Sequence, residues 1–196
     1  MTKTPSGLDL LLSKEAIRDV IYHWSRGVAR KDWDLVRACY TDDGVDMHGS
    51  VNGTVDEFIE WMESYHAPIE AVIFYSTNIL IEFVDEDTAF VETYGTSIQR
   101  HGATARAARI QFLGPEWADR DVPIVIDFAG RKLDTFVRRD GVWRIAVRKQ
   151  VYESVHARVA DPAKEDSPEF RISRRDAGDA LFDARVEAGL DRTLSL

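Results

Sequence analysis

Apolar residues recur at helical spacing near the start of the chain. Ile17, Val20, Ile21, Trp24 and Val28 fall on one stripe of a helix that Ser13 can cap and that begins at Lys14. Residues 1–12 precede it as an arm. Asp32 can cap a short second helix carrying Trp33, Val36 and Tyr40, which gives way to the polar turn Thr41-Asp42-Asp43-Gly44. The stretch VDMHGSVNG holds two glycines and reads as an irregular strand and loop around His48. Thr54 and Glu57 form a capping box for a helix bearing Phe58, Ile59, Trp61, Met62 and Tyr65, which should stop before Pro68. His66 at its end is expected to meet the final carbonyls.

From Phe74 the period changes from helical to two. Phe74–Phe83 and Ala89–Arg100 read as strands around the acidic turn Asp85-Glu86-Asp87. In the second, Val91, Thr93, Gly95, Ser97, Gln99 and His101 share a small and polar face, which suits either a ligand cavity or an ordinary wet surface. Ile124–Tyr152 reads as a hairpin turning at Asp140-Gly141. Lys132, Asp134 and Phe136 share one face of its first strand. Arg148 shares a face of the second with Ala146, Gln150 and Tyr152, while Trp143, Ile145 and Val147 take the other. Two readings fit this pattern: charges converging on a site, or cross-strand pairing on a solvated face.

Between these strands, residues 102–123 form a long connection with Phe112, Leu113 and Trp117, expected to be an ordered insertion over a pocket. Residues 160–170 are polar with two prolines and read as a linker. One last helix follows, capped by Ser173 or Asp176, with an apolar stripe around Leu181 and Phe182 and a stop at Gly189. The chain divides into an arm (1–12), an α+β domain (13–157) and a C-terminal helical extension (158–196). A helix on such a linker is not stable alone, so the segment from Asp166 to Leu196 is expected to pack on a neighbouring subunit of a homodimer or homotrimer.

At 196 residues the chain is long enough for one substantial core. Its 34 acidic and 25 basic residues leave a net charge of -9 with no dense basic block, so nucleic acid is not an expected partner. The single cysteine, Cys39, rules out an internal disulfide and reads as core packing. No apolar run suggests a signal peptide or membrane contact, and a cytoplasmic location is expected. There is no Gly-rich phosphate loop, nucleophile elbow or clustered His/carboxylate set, so neither metal nor cofactor is expected.

Three stretches together resemble the SnoaL-like family of the nuclear-transport-factor-2-like superfamily: IRDVIYHWSRGVARKDWDLVRACYTDDGVDMHG, FYSTNILIEFVDEDTAFVETY and RKLDTFVRRDGVWRIAVRKQVY. The resemblance implies a cone-shaped, curved antiparallel sheet closed by the N-terminal helices around a deep apolar pocket. Scytalone-dehydratase-like and hexachlorocyclohexane-dehydrochlorinase-like members use an Asp/His dyad as base. Here those positions hold Ala29 and Phe74, and a pocket lysine position holds Trp24. The pocket arginine and aspartate of that group match Arg148 and Asp134, a pocket tyrosine matches Lys132, and His48 lies where many members carry a histidine.

The resulting expectation is a cofactor-independent lyase acting on a hydrophobic, hydroxylated aromatic small molecule, eliminating water or formaldehyde, as from a lignin-derived diarylpropane diol. The catalytic set is His48, Lys132, Asp134 and Arg148, with Arg148 or Lys132 holding an anion and His48 or Asp134 moving the proton. Ligand contacts are expected from Trp24, Tyr40, Asp46, Trp61 and Phe74, and from Ser97, Gln99, His101 and Tyr152. The alternatives are a non-catalytic binding protein, a subunit like the small subunit of ring-hydroxylating dioxygenases, and an isomerase.

Overall fold

A computed structural model describes residues 3–161, 169 and 171–196. Most of the 160–170 linker therefore lies outside the described residues. Helix α1 (Gly7–Arg30) begins six residues before the expected arm ends. The run Leu8 to Leu12 consists largely of good helix formers, so the helix extends upstream. Ser13 is then buried inside the helix instead of capping it. Helix α2 (Trp33–Ala38) is capped by Asp32, which accepts from the Leu35 amide at 3.0 Å. Gly27 lets the two helices touch, since a Cβ there would lie 2.8 Å from Val36 Cγ2.

Tyr40 does not extend α2 but opens strand β1 (Tyr40–Met47), and β2 (Asn52–Thr54) returns beside it. The Thr54/Glu57 capping box is present and starts α3 (Val55–His66). Long antiparallel strands follow: β3 (Ile69–Phe83), β4 (Thr88–His101), β5 (Ile124–Arg139) and β6 (Val142–Val159). Asp140 and Gly141 both take positive φ, 52° and 80°, as a two-residue hairpin turn requires. The insertion after β4 is ordered by α4 (Arg106–Leu113) and a single 3₁₀ turn. The buried Arg109 donates to the carbonyls of Ala103, Trp117 and Val122.

The expected closed, curved, wholly antiparallel sheet is not what forms. The six strands run in the order β2-β1-β6-β5-β4-β3, and β1 pairs parallel to β6, so the sheet is mixed. It is also open, since β2 and β3 stand at its two edges and do not pair with each other. Hydrophobic alternation in the long strands says nothing about β1, which enters the sheet from the helical layer and joins a strand about a hundred residues later in sequence. Helices α1, α2 and α3 cover one face, and the main core lies there, around Ile17, Trp24, Val36, Phe58, Phe136 and Ile145.

Two bulges in the central hairpin set which residues reach that core. Between Thr135/Val147 and Phe136/Ile145 the register slips at Ala146. Strict alternation puts Trp143 and Ile145 opposite Arg148, yet all three are buried. One extra residue in one strand reverses the phase of everything beyond it. The second bulge pairs Gly130 with Tyr152 and Ala129 with Ser154.

The extension carries α5 (Ala180–Glu187), capped by Asp179 and without a buried residue of its own. Its anchor lies just upstream. Arg175 is buried within its own subunit, and Asp179 pairs with Arg30 of α1 at 3.4 Å.

Gly130 is held at the second bulge by space as well as by shape: a Cβ would lie 2.2 Å from the Val151 carbonyl. Gly130→Ala is expected to cost about 1–3 kcal/mol through forced displacement of β6. Urea melts should show this as a lower midpoint with unchanged slope.

Candidate active site

A cavity of about 460 Å³ opens between the sheet and the helices. Its floor is built by alternation. Phe128, Gly130 and Lys132 point inward from β5, opposite Ser97, Gly95 and Thr93 of β4. Gln150 and Tyr152 complete it from β6. Trp24 of α1 and Trp61, Tyr65 and His66 of α3 form the roof, and Phe112 of the insertion lies at the side. Eight of the lining residues are Phe, Trp or Tyr, and Ser, Thr, Gln, His and Lys side chains lie among them, so the cavity suits an aromatic ligand that carries polar groups.

At one end a hydrogen-bonded chain runs through buried groups. Trp24 Nε1 donates to Tyr40 Oη at 3.1 Å, and Tyr40 Oη donates to Asp46 Oδ2 at 2.6 Å. The other carboxylate oxygen, Asp46 Oδ1, lies 3.2 Å from His48 Nδ1. A carboxylate only accepts, so the neutral His48 ring carries its proton on Nδ1 and its lone pair on Nε2. Nε2 has no partner among the described residues. The ring is set among Phe58, Trp61 and Tyr152 at centroid distances of 5.2, 5.7 and 6.2 Å. Burial, then the Asp46 carboxylate, pushes the Tyr40 phenol well up, so it stays a donor. Asp46 and His48 meet because they are two apart on one strand face, at the point where β1 ends and Gly49 turns the chain at φ 82°.

Beside this pair Lys132 lines the cavity, with Nζ 5.0 Å from the centroid of the Trp24 ring. Burial and then the Arg148 guanidinium lower its pKa to about 8, against the opposing pull of Asp134 and Asp46. Arg148 itself is fully buried and does not line the cavity. It holds Asp134 in a bidentate pair at 2.8 and 2.6 Å, and its guanidinium carbon lies 4.5 Å from the Trp24 ring centroid and 5.8 Å from that of Tyr40. Burial opposes the arginine charge, but Asp134, with Tyr40 and Asp46 behind it, outweighs that and holds the pKa above the ordinary value.

The other end of the cavity is neutral and polar. Tyr65 stacks on Trp61 at 5.1 Å, and its hydroxyl donates to Gln99 Oε1 at 3.4 Å. His101 Nε2 reaches the same oxygen at 3.1 Å. Burial, then Arg175, pushes His101 down to about 4. His66 is buried, and its Nδ1 accepts from Arg175 Nη2 at 2.8 Å.

Of the residues expected from sequence, His48, Lys132, Trp24, Trp61, Phe74, Ser97, Gln99 and Tyr152 line the cavity. Tyr40, Asp46, Asp134, Arg148 and His101 stand one layer behind it. Arg148 is therefore placed to support the wall rather than to contact an anion, and Asp134 is occupied by it. Sequence reasoning missed Tyr65, His66 and Phe128 as lining residues, whereas Phe112 lies at the cavity as the expected insertion over a pocket implied. Phe128 could have been found, because it shares the face of Lys132 on an alternating strand. His66 could not, because its partner Arg175 is 109 residues away. Among the described residues, no group of three or more His, Cys, Asp or Glu side chains is placed to hold a metal ion.

This arrangement of helices over a mixed sheet, with an aromatic cavity between them, has known counterparts. The SnoaL-like domain family matches residues 9–149, and the chain belongs to that family, within the nuclear-transport-factor-2-like superfamily. A type 2 hexachlorocyclohexane dehydrochlorinase is 19% identical, with a TM-score of 0.64 over 84% of this chain and 100% of that one. A type 3 dehydrochlorinase from Novosphingobium barchaimii is 18% identical, with a TM-score of 0.63 over 78% of this chain and 94% of the other. A scytalone dehydratase candidate from Novosphingobium aromaticivorans is also 18% identical, with a TM-score of 0.60 over 81% and 98%. At these identities the likeness is one of fold. No curated protein matches the chain.

The Arg148–Asp134 pair generates a stability prediction. Arg148→Met or Asp134→Leu alone leaves an uncompensated buried charge and is expected to cost about 3–5 kcal/mol. The double replacement should recover most of that loss. A double-mutant cycle by urea denaturation checks it, and additive losses would contradict it.

Proposed function

We propose that this protein is a cofactor-independent lyase whose ligand is a hydroxylated aromatic small molecule. The observation that carries the reading is the Asp46–His48 pair, whose imidazole lines the same cavity as Lys132. The family's dyad positions hold Ala29 and Phe74, but a carboxylate–imidazole pair of the same chemical type is rebuilt on β1. Imidazole is the side chain suited to proton transfer near neutral pH, and the carboxylate holds its tautomer and favours the cation formed when it accepts a proton.

In the elimination, His48 Nε2 removes a proton from the bound substrate. The electron pair left behind develops as a phenolate or enolate charge, which the Lys132 ammonium stabilises in a site sheltered from water. A leaving hydroxide departs as water once it receives a proton. For a substrate with a primary alcohol, such as a lignin-derived diarylpropane diol, removal of the alcohol proton instead breaks the adjacent carbon–carbon bond and releases formaldehyde, while the pair from that bond forms a carbon–carbon double bond and expels the benzylic hydroxide, which leaves as water with the proton that His48 took. Trp24, Trp61, Tyr65 and Phe128 supply faces against which an aromatic ring can pack. An isomerase would use the same base and anion holder but would return a product of unchanged composition. Mass analysis of the product separates the two.

A homodimer or homotrimer is proposed alongside, supported by Ile73, Leu80, Phe90, Tyr94 and Ile98, which stay more than a third exposed on the face of the sheet away from the helices. Light scattering that gives a monomer at micromolar concentration would overturn it.

Purified protein should turn over phenolic diols. His48→Gln should lose about 10²–10⁴-fold in kcat if His48 is the base, and Lys132→Met about a hundredfold or more. A protein that binds these phenols with no turnover is a binding protein, and the lyase reading fails.

The lowered Lys132 pKa gives the expected pH dependence. The ammonium is present below about 8 and lost above it, so kcat/KM should fall as pH rises through about 8. Lys132→Arg, which stays cationic, should remove that alkaline fall even if its plateau is lower. An unchanged alkaline limb in Lys132→Arg would take Lys132 out of the role.

A further inference from the structure

The C-terminal extension reaches the cavity through one side chain. Arg175 inserts between the end of α1 and the start of β3, and every nitrogen of its guanidinium has an acceptor. Nε donates to the Ala29 carbonyl at 3.0 Å and Nη1 to that of Ile69 at 3.2 Å. Nη2 has two protons and two acceptors, the Val28 carbonyl at 2.6 Å and His66 Nδ1 at 2.8 Å. Two of the three carbonyls are among the last of α1, where the helix end favours a cation.

A guanidinium has no lone pair to offer. His66 Nδ1 must therefore accept, and the ring is neutral with its proton on Nε2. That N–H has no partner among the described residues, although His66 is buried and lines the cavity. A donor on the cavity wall is open to an acceptor on whatever fills the cavity. Around it Tyr65 Oη and His101 Nε2 are both turned toward the Gln99 amide oxygen. Those two donors are used on Gln99, so the His66 Nε2–H is the donor this end leaves open, whereas the opposite end offers the Lys132 amine. Between the ends lie the Trp61 and Tyr65 rings. Along β4, Thr93 (opposite Lys132) and Gln99 are six residues apart, or about 20 Å at the rise of a strand.

We infer that Arg175 makes His66 a fixed hydrogen-bond donor, and that the cavity selects elongated two-ring aromatics with an ionisable oxygen at the Lys132 end and a second, acceptor oxygen at the His66 end. This rests on the reading of the cavity as an aromatic-ligand site and adds its length and its second polar contact. His66 acts by touching the ligand, and Arg175 is a positioning residue that acts through His66. The groups that surround His66 are Arg175 from the extension, His101 from β4, Lys31 after α1 and His48 after β1. Burial first, and then these, hold its pKa well below the usual imidazole range.

Two measurements test this on the full-length protein. Nitrogen-15 NMR of the imidazoles should show His66 as the neutral Nε2–H tautomer from pH 8 down to pH 5. In Arg175→Met the proton should distribute over both nitrogens and the ring should titrate at higher pH than in the wild type. A wild-type His66 that is Nδ1–H, or cationic at pH 6, overturns the role of Arg175 and leaves the proposed lyase chemistry standing.

The second measurement is calorimetric binding of 4-hydroxystilbene and 4,4′-dihydroxystilbene. The two-ended probe should bind about tenfold tighter, the size of one hydrogen bond. His66→Phe and Arg175→Met should each reduce that preference to about twofold or less while leaving the one-ended probe's affinity within about twofold. His66→Phe leaves the Arg175 backbone contacts in place, so it reads the subsite even if Arg175→Met is poorly folded. Equal binding of both probes, or a preference that survives His66→Phe, overturns the subsite. Binding of neither probe fails the aromatic-ligand reading itself, and the subsite falls with it.

Discussion

The ion pair between Arg148 and Asp134 is the interaction on which the cavity depends. Both side chains are fully buried, so each charge is tolerable only because the other neutralises it at bidentate distance. The pair joins the two central strands and also underlies the face of Trp24, which itself bonds to Tyr40 and, through it, to Asp46. One guanidinium thereby ties the first helix, the centre of the sheet and strand β1, which ends just before His48, into a single polar framework. Burial first, and then the same charge, lower the pKa of Lys132 on the cavity wall, while Asp134 pulls it the other way.

That framework ends in a carboxylate and an imidazole, Asp46 and His48, two residues apart on one face where β1 ends. The parallel pairing of β1 with β6 sets Asp46 opposite Arg148 in the sheet. The carboxylate is thus held by the Tyr40 hydroxyl on one side and by the electrostatic field of a buried arginine on the other. The two ends of the cavity differ in kind: one holds charge, and the other holds a neutral donor that the extension orients through Arg175.

Much of this was legible in the sequence. The stripe Ile17 to Val28, the Thr54/Glu57 capping box, the Asp140-Gly141 hairpin and the small polar face of β4 are local patterns, each specified by neighbours within a few residues. Periodicity alone brought Lys132 and Asp134 to one face, but the unshifted hairpin would set Val147 opposite Asp134, and the bulge at Ala146 is what puts Arg148 there. What alternation could not show is where it breaks. The bulge at Ala146 turns Trp143 and Ile145 inward, and nothing in their own neighbourhood announces it.

The chain by itself therefore determined its first three helices, its long strands, its hairpin and a third of the residues around the cavity, because backbone periodicity and capping act over short range. Tertiary structure alone decided that the sheet is mixed and open, that Arg148 braces the wall instead of facing the ligand, and that Arg175 reaches His66. Each of these depends on which distant groups share a water-poor space. There a charge or a proton takes the position its new neighbours will accept, and residues 14 to 109 apart in sequence become each other's nearest electrostatic environment.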